Sequence, residues 1–140
     1  MNITYTNTIS VEDYNVLRVF AGWSEVNPEQ AQSGLNGSTF IIAAKVDGKA
    51  VGTARLLWDK GNSALIKDML VLSEYQGMGI GTEMMNRILS YLKENMKLGW
   101  GVSIDLMSAI GKETFYKKFG FVKRPRDRRG AGMDLWITKD

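Results

Sequence analysis

A run of alternating glycines separates a β-rich segment from a long amphipathic segment in this 140-residue chain. The segment 69–72 leads into Gly77, Gly79 and Gly81, and a helical pattern begins directly after them. Glycine lets the backbone approach a ligand closely and adopt conformations that a side chain forbids. The amides of such a turn have no partners within the helix, and the helix dipole adds partial positive charge there. The sequence therefore predicts a turn that binds a phosphate or a diphosphate.

Two common phosphate-binding patterns do not fit this turn. A P-loop ends in Gly-Lys followed by Ser or Thr, whereas here Thr82 follows Gly81 directly. The dinucleotide fingerprint Gly-x-Gly-x-x-Gly fails because Thr82 occupies the place of its third glycine. The pattern that remains is Gln-x-x-Gly-x-Gly, from Gln76 to Gly81. An ordinary tight turn is the simpler alternative, but three alternating glycines that open a long helix exceed what a turn requires.

The residues before the turn predict two helices and an antiparallel meander. Asn27-Pro28 reads as a helix cap followed by a first-turn proline. Asp47-Gly48 is a strong hairpin signal, and a second turn follows at 59–62. The predicted helices cover 11–22 and 27–35, and the predicted strands cover 40–46, 50–58 and 64–72.

The residues after the turn predict a strand–helix–strand unit and a short C-terminal part. Met84, Ile88, Leu92 and Met96 are four apart, which marks one face of a helix over 82–97. The next strand should run parallel to the third meander strand through a right-handed crossover. It is predicted at 100–107, followed by a helix at 112–119 and two final strands at 121–123 and 133–138. The sequence thus predicts a single domain, 1–140, of the α+β class, with a mixed, mostly antiparallel sheet and helices on both faces.

The composition limits the chemistry that the chain can perform. It has no cysteine and no histidine, which excludes disulfides, a thiolate nucleophile and every Ser-His-Asp mechanism, and removes the commonest metal ligand. We therefore expect no metal, and catalysis by carboxylates, hydroxyls, Lys or backbone groups. No apolar run approaches the roughly 20 residues of a membrane span, and residues 1–10 lack the pattern of a signal peptide. We expect a cytoplasmic protein with no membrane partner.

The net charge of +3 comes from one short stretch. Residues 123–129 hold five basic residues and one acidic residue; without them, 18 basic and 15 acidic residues become 13 and 14. The body of the chain is therefore not a basic nucleic-acid-binding surface, and we expect no nucleic-acid partner. The stretch itself is expected to be a mobile basic loop. It would either bind an anion, such as a phosphate or an acidic acceptor, or be solvated, which is the default for a charged loop.

Taken together, these features resemble the GCN5-related N-acetyltransferases, the GNAT family. The first shared motif is the strand, the Gln76–Gly81 turn and the helix after it. The second is an aromatic-rich helix that ends in Gly-Phe, formed here by 115–121. The order of elements fits as well. The resemblance implies a three-layer α/β/α fold and an acetyl-CoA-dependent N-acetyltransferase, which moves an acetyl group directly to an amine through a ternary complex.

The resemblance leaves the acceptor and the assembly open. The acceptor would be a small-molecule amine or a protein amino group, and homodimers are common in the family. A non-catalytic module that binds acyl-CoA as a sensor is the alternative function. A nucleic-acid-binding protein that uses the basic loop is a weaker alternative, because the body of the chain is nearly neutral.

The resemblance also implies where acetyl-CoA would be held. Backbone groups of Met69, Leu70 and Val71 would meet the pantetheine arm. A bulge there would aim an N–H at the thioester carbonyl and stabilise the oxyanion. The pyrophosphate would lie on the turn, against Gln76, Gly77, Met78, Gly79, Ile80, Gly81 and Thr82.

Tyr116 aligns with the tyrosine that the family often uses as general acid, next to the cofactor. A phenol has a reference pKa of about 10 and a thiol one of about 8.5. The two values are close enough for the hydroxyl to pass its proton to the sulfur as the thioester bond breaks. The alternative is that Tyr116 only packs or hydrogen-bonds the sulfur.

The base that neutralises the amine is expected among the carboxylates Asp68, Glu25 and Glu74, acting directly or through water. Asp68 stands out because strand alternation places it on the face of Leu70 and Leu72. The equally weighted alternative for Asp68 is a structural salt bridge with a residue such as Arg55.

Aromatic residues suggest where the acceptor would bind. Trp23 and Trp58, with Glu25 nearby in sequence, would suit a cationic amine as an aromatic wall beside a carboxylate. Plain core packing is the alternative for the tryptophans, and it is the expectation for Trp136.

Overall fold

A five-stranded sheet forms the centre of the computed structural model, which describes residues 2–139. The strands follow one another across the sheet in chain order, and each of the first four is antiparallel to its neighbour. The last strand is parallel to the fourth. The strands are β1 (Thr4–Thr6), β2 (Phe40–Val46), β3 (Lys49–Trp58), β4 (Ser63–Val71) and β5 (Ser103–Leu106).

The helices begin and end where the sequence carries the expected signals. Ser10 caps the first helix by accepting a hydrogen bond from the amide of Asp13, and Asn27 caps the second by accepting from Glu29. Pro28 occupies the first position of that second helix. The helices are α1 (Val11–Phe20), α2 (Pro28–Gly37), α3 (Ile80–Asn95) and α4 (Glu113–Lys117).

Helices cover both faces of the sheet. On one face α3 packs through Met84 and Ile88, which are fully buried. A Cβ on Gly52 of β3 would come within 3.2 Å of the Ile80 side chain, so glycine there permits the close approach of helix and strand. On the other face α1 and α2 form a core cluster that includes Leu17 and Leu35. The prediction of an α+β fold with helices on both faces is confirmed.

The hairpin between β2 and β3 forms at the predicted dipeptide. Asp47 and Gly48 both have positive φ, 51° and 78°, as a type I′ turn requires. The turn fixes the antiparallel register of β2 and β3, the first two strands of the meander, which extends through β4.

The chain separates into two compact units, Met1–Leu106 and Met107–Asp140. The first contains the sheet with α1, α2 and α3, and the second contains α4. The assignment of 1–140 to a single domain stays a prediction.

The two predicted final strands, 121–123 and 133–138, are wrong. In the described part of the second unit the backbone pairing is a single bridge between Arg126 and Arg129. Met133, Leu135 and Trp136 are 82–90% exposed, so the β-forming side chains have no surface against which to pack. A strand requires a hydrogen-bonding neighbour, and the local pattern does not supply one.

β1 was missed by the sequence analysis because three residues with one aromatic carry little pattern. It pairs with β2 at Thr4 and Lys45 and forms an edge of the sheet. No helix within residues 2–139 has the length and apolar character required to cross a bilayer.

The buried face of α3 gives a test of this packing. Ile88 is fully buried, so Ile88→Ala leaves a cavity, and we expect the free energy of unfolding to fall by about 2–5 kcal/mol. Asn86 lies on the exposed side of the same helix, and Asn86→Ala should change it by less than about 0.5 kcal/mol. Urea denaturation measures both, and equal losses would contradict the assigned helix face.

Candidate functional site

The glycine turn connects β4 to α3 in a conformation that favours glycine. Gly77 and Gly79 have φ of 78° and 83°, the left-handed region in which most other residues are strained. A Cβ at either position would meet no atom of residues 2–139 within 4 Å, so the preference comes from the backbone angles and not from crowding. A short 3-10 turn, Ser73–Tyr75, precedes them, and α3 begins at Ile80, two residues earlier than predicted.

The backbone amides of this turn are available to a ligand. Among residues 2–139, none accepts a hydrogen bond from the amides of 77–82. Satisfied amides lie on both sides of this run: Gln76 N donates to the Ser73 carbonyl at 3.2 Å, and Glu83 N donates to the Gly79 carbonyl at 3.0 Å. Within the described part of the chain, no side chain caps the start of α3. Successive free amides at the positive end of a 16-residue helix can attract an anion such as a phosphate group.

Two side chains hold this turn in place. The side-chain amide of Gln76 donates to the carbonyl of Val71 at 2.9 Å, so it ties the turn to the end of β4. Ile80 is 1% exposed and anchors the first turn of α3 in the core. Gln76 therefore shapes the turn through its side chain, while its own amide is already paired with Ser73.

β4 is interrupted by a bulge just before it reaches the turn. Two adjacent residues, Asp68 and Met69, lie opposite the single residue Ala54 of β3. Asp68 has φ of +56°, a left-handed conformation that Asp tolerates better than most residues. A bulge leaves its extra residue outside the regular pairing and re-aims the neighbouring groups. The bulge expected in this part of the chain is therefore present.

The Asp68 side chain is buried on the face covered by α1. It lies on the side of Leu70 and Leu72, as predicted, since Tyr14, which contacts it, packs in the cluster that holds both leucines. Arg55 Nε donates to Asp68 Oδ2 at 2.7 Å, and the Tyr14 hydroxyl donates to the same oxygen at 2.7 Å. These contacts support the salt-bridge alternative for Asp68.

A second arginine completes the surroundings of Asp68. Arg18 Nη1 is 3.6 Å from Asp68 Oδ1, and Arg18 Nε donates to the carbonyl of Ser24 at 2.9 Å. Sequence reasoning missed both Tyr14 and Arg18. The signal was available, since residues four apart lie on one face of a helix.

The Tyr14 hydroxyl remains a hydrogen-bond donor over a wide pH range. Burial raises its pKa above the ordinary value of 10.0, and the hydrogen bond to Asp68 raises it further. The Tyr14 hydroxyl therefore keeps its proton at neutral pH.

Tyr116 lies in α4, in the second unit. It is 8% exposed, and its ring makes edge contacts with Phe115 at 5.1 Å and Phe121 at 6.2 Å between centroids. Phe115 and Phe119 also pack edge to face. Burial raises the pKa of the Tyr116 hydroxyl above 10.0, so the group is protonated at physiological pH.

The residues proposed for the acceptor lie in different places. Trp23 follows α1, is 39% exposed, and has the Arg18 guanidinium 5.1 Å from its ring centroid. Glu25 is exposed two residues later. Both are on the surface of the connection between α1 and α2.

Trp58 is the last residue of β3 and lies at the end of the sheet opposite the glycine turn. It is 7% exposed, its indole N–H donates to the Gly61 carbonyl at 3.0 Å, and it pairs with Ala64 at the start of β4. Since Ala64 precedes Val71 by seven residues, about 23 Å of strand separates Trp58 from the glycine turn.

The basic stretch forms a hydrogen-bonded turn. Arg126 and Arg129 exchange backbone hydrogen bonds of 2.9 and 2.7 Å, and Arg124 Nε donates to the Gly130 carbonyl at 2.6 Å.

Trp136 is 85% exposed, so the expectation that it packs in the core is wrong.

The family model of the acetyltransferase (GNAT) domain matches residues 36–123 of the chain. The match includes β2 to β5, the glycine turn and the aromatic helix. It thus covers well over half of the chain and both motifs on which the resemblance depends.

Individual relatives agree with this match. The uncharacterized N-acetyltransferase ycf52 of Pyropia yezoensis is 28% identical over 113 residues, which are 78% of this chain and 63% of that protein. The chain therefore spans less than two thirds of that relative. A crystal structure from meticillin-resistant Staphylococcus aureus, named a probable acetyltransferase, is 29% identical with a TM-score of 0.86, and covers 97% of this chain and 100% of its own. A GNAT-family acetyltransferase from Streptococcus pneumoniae is 27% identical with a TM-score of 0.73, over 99% and 98%. The chain belongs to the GNAT family of acetyltransferases.

Proposed function

We propose that this chain is an acetyl-CoA-dependent N-acetyltransferase that transfers the acetyl group directly to an amine within a ternary complex. The observation that carries the proposal is the run of unpartnered backbone amides at 77–82, which opens α3 directly after a bulged strand. A family match without such a run would leave no feature of the chain to hold the diphosphate of the donor.

The amides of Gly77 to Thr82 would hold the pyrophosphate. Their electrostatic attraction to an anion comes from oriented N–H groups and the helix dipole, and it requires no side-chain charge. The side chains of Met78 and Thr82 are exposed at this site, which leaves room for the rest of the nucleotide. Gln76 would contribute by fixing the turn.

The bulged end of β4 would receive the pantetheine arm along Met69, Leu70 and Val71. A backbone N–H beside the bulge would donate to the thioester carbonyl and stabilise the negative charge that develops on its oxygen during attack. Acetyl-CoA supplies the activated acyl group. The chain supplies the oriented donor, for which side-chain identity matters little.

Tyr116 would act as the general acid toward the departing thiolate. Its pKa, raised by burial, keeps the hydroxyl protonated, so it can donate a hydrogen bond to the sulfur and stabilise the negative charge that develops there as the thioester bond breaks. The amine must attack in its neutral form. Glu25, exposed beside Trp23, is the carboxylate that would meet a cationic acceptor, and Trp58 would contribute only to an acceptor that extends along the sheet.

The first test addresses the glycine turn. Gly79→Asp places a carboxylate at the start of α3, where it would repel the diphosphate. We expect acetyl-CoA to bind about 100-fold more weakly for this reason. The fold should be retained because Asp is among the residues that tolerate positive φ, as Asp47 does at 51°. Isothermal titration calorimetry measures the affinity.

Gly99→Asp is the matched control for this variant. Gly99 also has a positive φ, 87°, and open surroundings, but it lies after α3 and away from the turn. The Gly99→Asp variant should bind acetyl-CoA as tightly as the wild type does. Unchanged binding by Gly79→Asp would contradict the proposed diphosphate site.

A second test concerns Tyr116. Tyr116→Phe removes the acidic hydroxyl and keeps the ring, so we expect kcat to fall about 10²- to 10⁴-fold while the acetyl-CoA affinity stays nearly constant. Free thiol released from acetyl-CoA in the presence of an amine panel reports turnover. Equal losses in kcat and affinity would make the hydroxyl a ligand contact. Binding by the wild type without thiol release from any mixture would favour the acyl-CoA sensor.

The pH dependence follows from the direction of the Tyr116 pKa. Because the pKa is raised above 10.0, the acid form persists as the pH increases to 10 and is lost only above it. We therefore expect kcat of the wild type to show no alkaline decline from Tyr116 between pH 8 and 10. A decline in that range that disappears in Tyr116→Phe would show that the hydroxyl ionises below pH 10 and would contradict its raised pKa.

A further inference from the structure

Asp68 combines two unfavourable features at one position. Its backbone has a positive φ within a strand, where glycine would be the unstrained choice. Its carboxylate is buried, although a charge removed from water must find partners. A residue that served only to form the bulge would need no charged side chain.

The partners of Asp68 come from α1 and from the adjacent strand β3. Tyr14 and Arg18 come from α1, and Arg55 comes from β3. Arg55 extends the network to α2, since its Nη1 donates to Ser38 Oγ at 3.2 Å and to the Gly34 carbonyl at 3.4 Å. A cation at the carboxyl end of α2 also complements the helix dipole.

We infer that Asp68, held by Tyr14, Arg18 and Arg55, is a positioning residue that fixes the β4 bulge and so aims the backbone donor beside it at the acyl carbonyl. The inference rests on the proposed function. Both carboxylate oxygens already face donors: Oδ2 accepts from Tyr14 and Arg55, and Oδ1 faces Arg18. This arrangement suits an anchor for the bulge better than a base, which needs an oxygen free to accept the proton of the amine.

The network joins the bulge to rigid elements. α1 and α2 are packed into the core by Leu17 and Leu35, so their polar side chains have a fixed origin. A backbone donor at a bulge is effective only if its direction is fixed before the charge develops. Removal of one partner should therefore misdirect the donor without moving the glycine turn, which is held separately by Gln76 and Ile80.

The test compares Asp68→Asn with Asp68→Gly. Asn keeps the shape and tolerates positive φ, whereas Gly permits the backbone conformation without any side chain. We expect both to lower kcat by about 10- to 100-fold, and Gly by the larger factor, since the donor is misaimed and not deleted. The Kd for acetyl-CoA should stay within about twofold with unchanged stoichiometry, which shows that the folded fraction is intact. Full activity in Asp68→Gly would overturn the inference.

A pH profile separates positioning from base catalysis. If Asp68 is the base, Asp68→Asn loses the acid limb of the kcat profile. If it is a positioning residue, the acid limb keeps its midpoint at a lower plateau. Loss of the limb would overturn the inference and leave the proposed function standing.

Coupling between the partners gives a readout that general destabilisation would not produce. Arg55→Met should lower kcat as Asp68→Asn does, and the double variant should lose little more than either single variant, because the residues act as a unit. Arg87→Met, which breaks an exposed ion pair with Glu83, is the control and should leave kcat unchanged. Additive losses would overturn the inference.

If Asp68→Asn does not fold, Tyr14→Phe provides a milder variant, because it removes a single hydrogen-bond donor to Asp68. We expect it to lower kcat by a smaller factor while the Kd for acetyl-CoA stays constant. An unchanged kcat would overturn the inference.

A different measurement, made on the wild type, tests the proposed function. If the wild type neither binds acetyl-CoA nor releases thiol, the reaction itself is absent. If the wild type is active and the Asp68 variants match it, only the positioning role is lost.

Discussion

The extra residue in β4 determines how the two faces of the sheet are used. Before the bulge, Ile66 pairs with Leu56, which alternates with Gly52 and so faces α3. After it, Leu70 belongs to the cluster under α1 and α2. Without the bulge, strict alternation would send Leu70 to the same face as Ile66, and every residue between the bulge and the turn would change sides. The direction in which β4 presents its last residues thus depends on one irregular pair.

The glycine turn depends on the same strand in another way. Its free amides are useful only if they are held where β4 ends, and the hydrogen bond from Gln76 to Val71 provides that link. Ile80 fixes the first turn of α3 at the same level. Two separate sets of contacts therefore hold the two ends of the proposed site along β4: a polar network at the bulge, and the Gln76 hydrogen bond with the buried Ile80 at the glycine turn.

The parts of the fold that were predictable from the sequence are those specified by residues close together along the chain. Asn27-Pro28 and Asp47-Gly48 specify a cap and a hairpin within a few residues, and both form where expected. The alternating glycines likewise specify their turn. The prediction failed at Met133 to Thr138, because strand propensity describes a side chain and not whether a neighbouring strand exists. The network around Asp68 was predictable only in part. Arg55 was expected because it lies on the adjacent strand. Tyr14 and Arg18 contact Asp68 only because α1 packs on the sheet.

Asp68 also illustrates why stability alone does not explain this site. A buried ion pair is weak support for stability, since its desolvation cost can exceed its Coulomb gain, and a non-glycine residue in the left-handed region costs about 1–2 kcal/mol more. An apolar residue on a regular strand would avoid both costs. Conflicts between local preference and the observed structure concentrate at functional positions, and here two of them fall on one residue beside the strand end that leads to the free amides. The simplest physical account is that the direction of the backbone at the bulge matters more to this protein than the stability lost in fixing it.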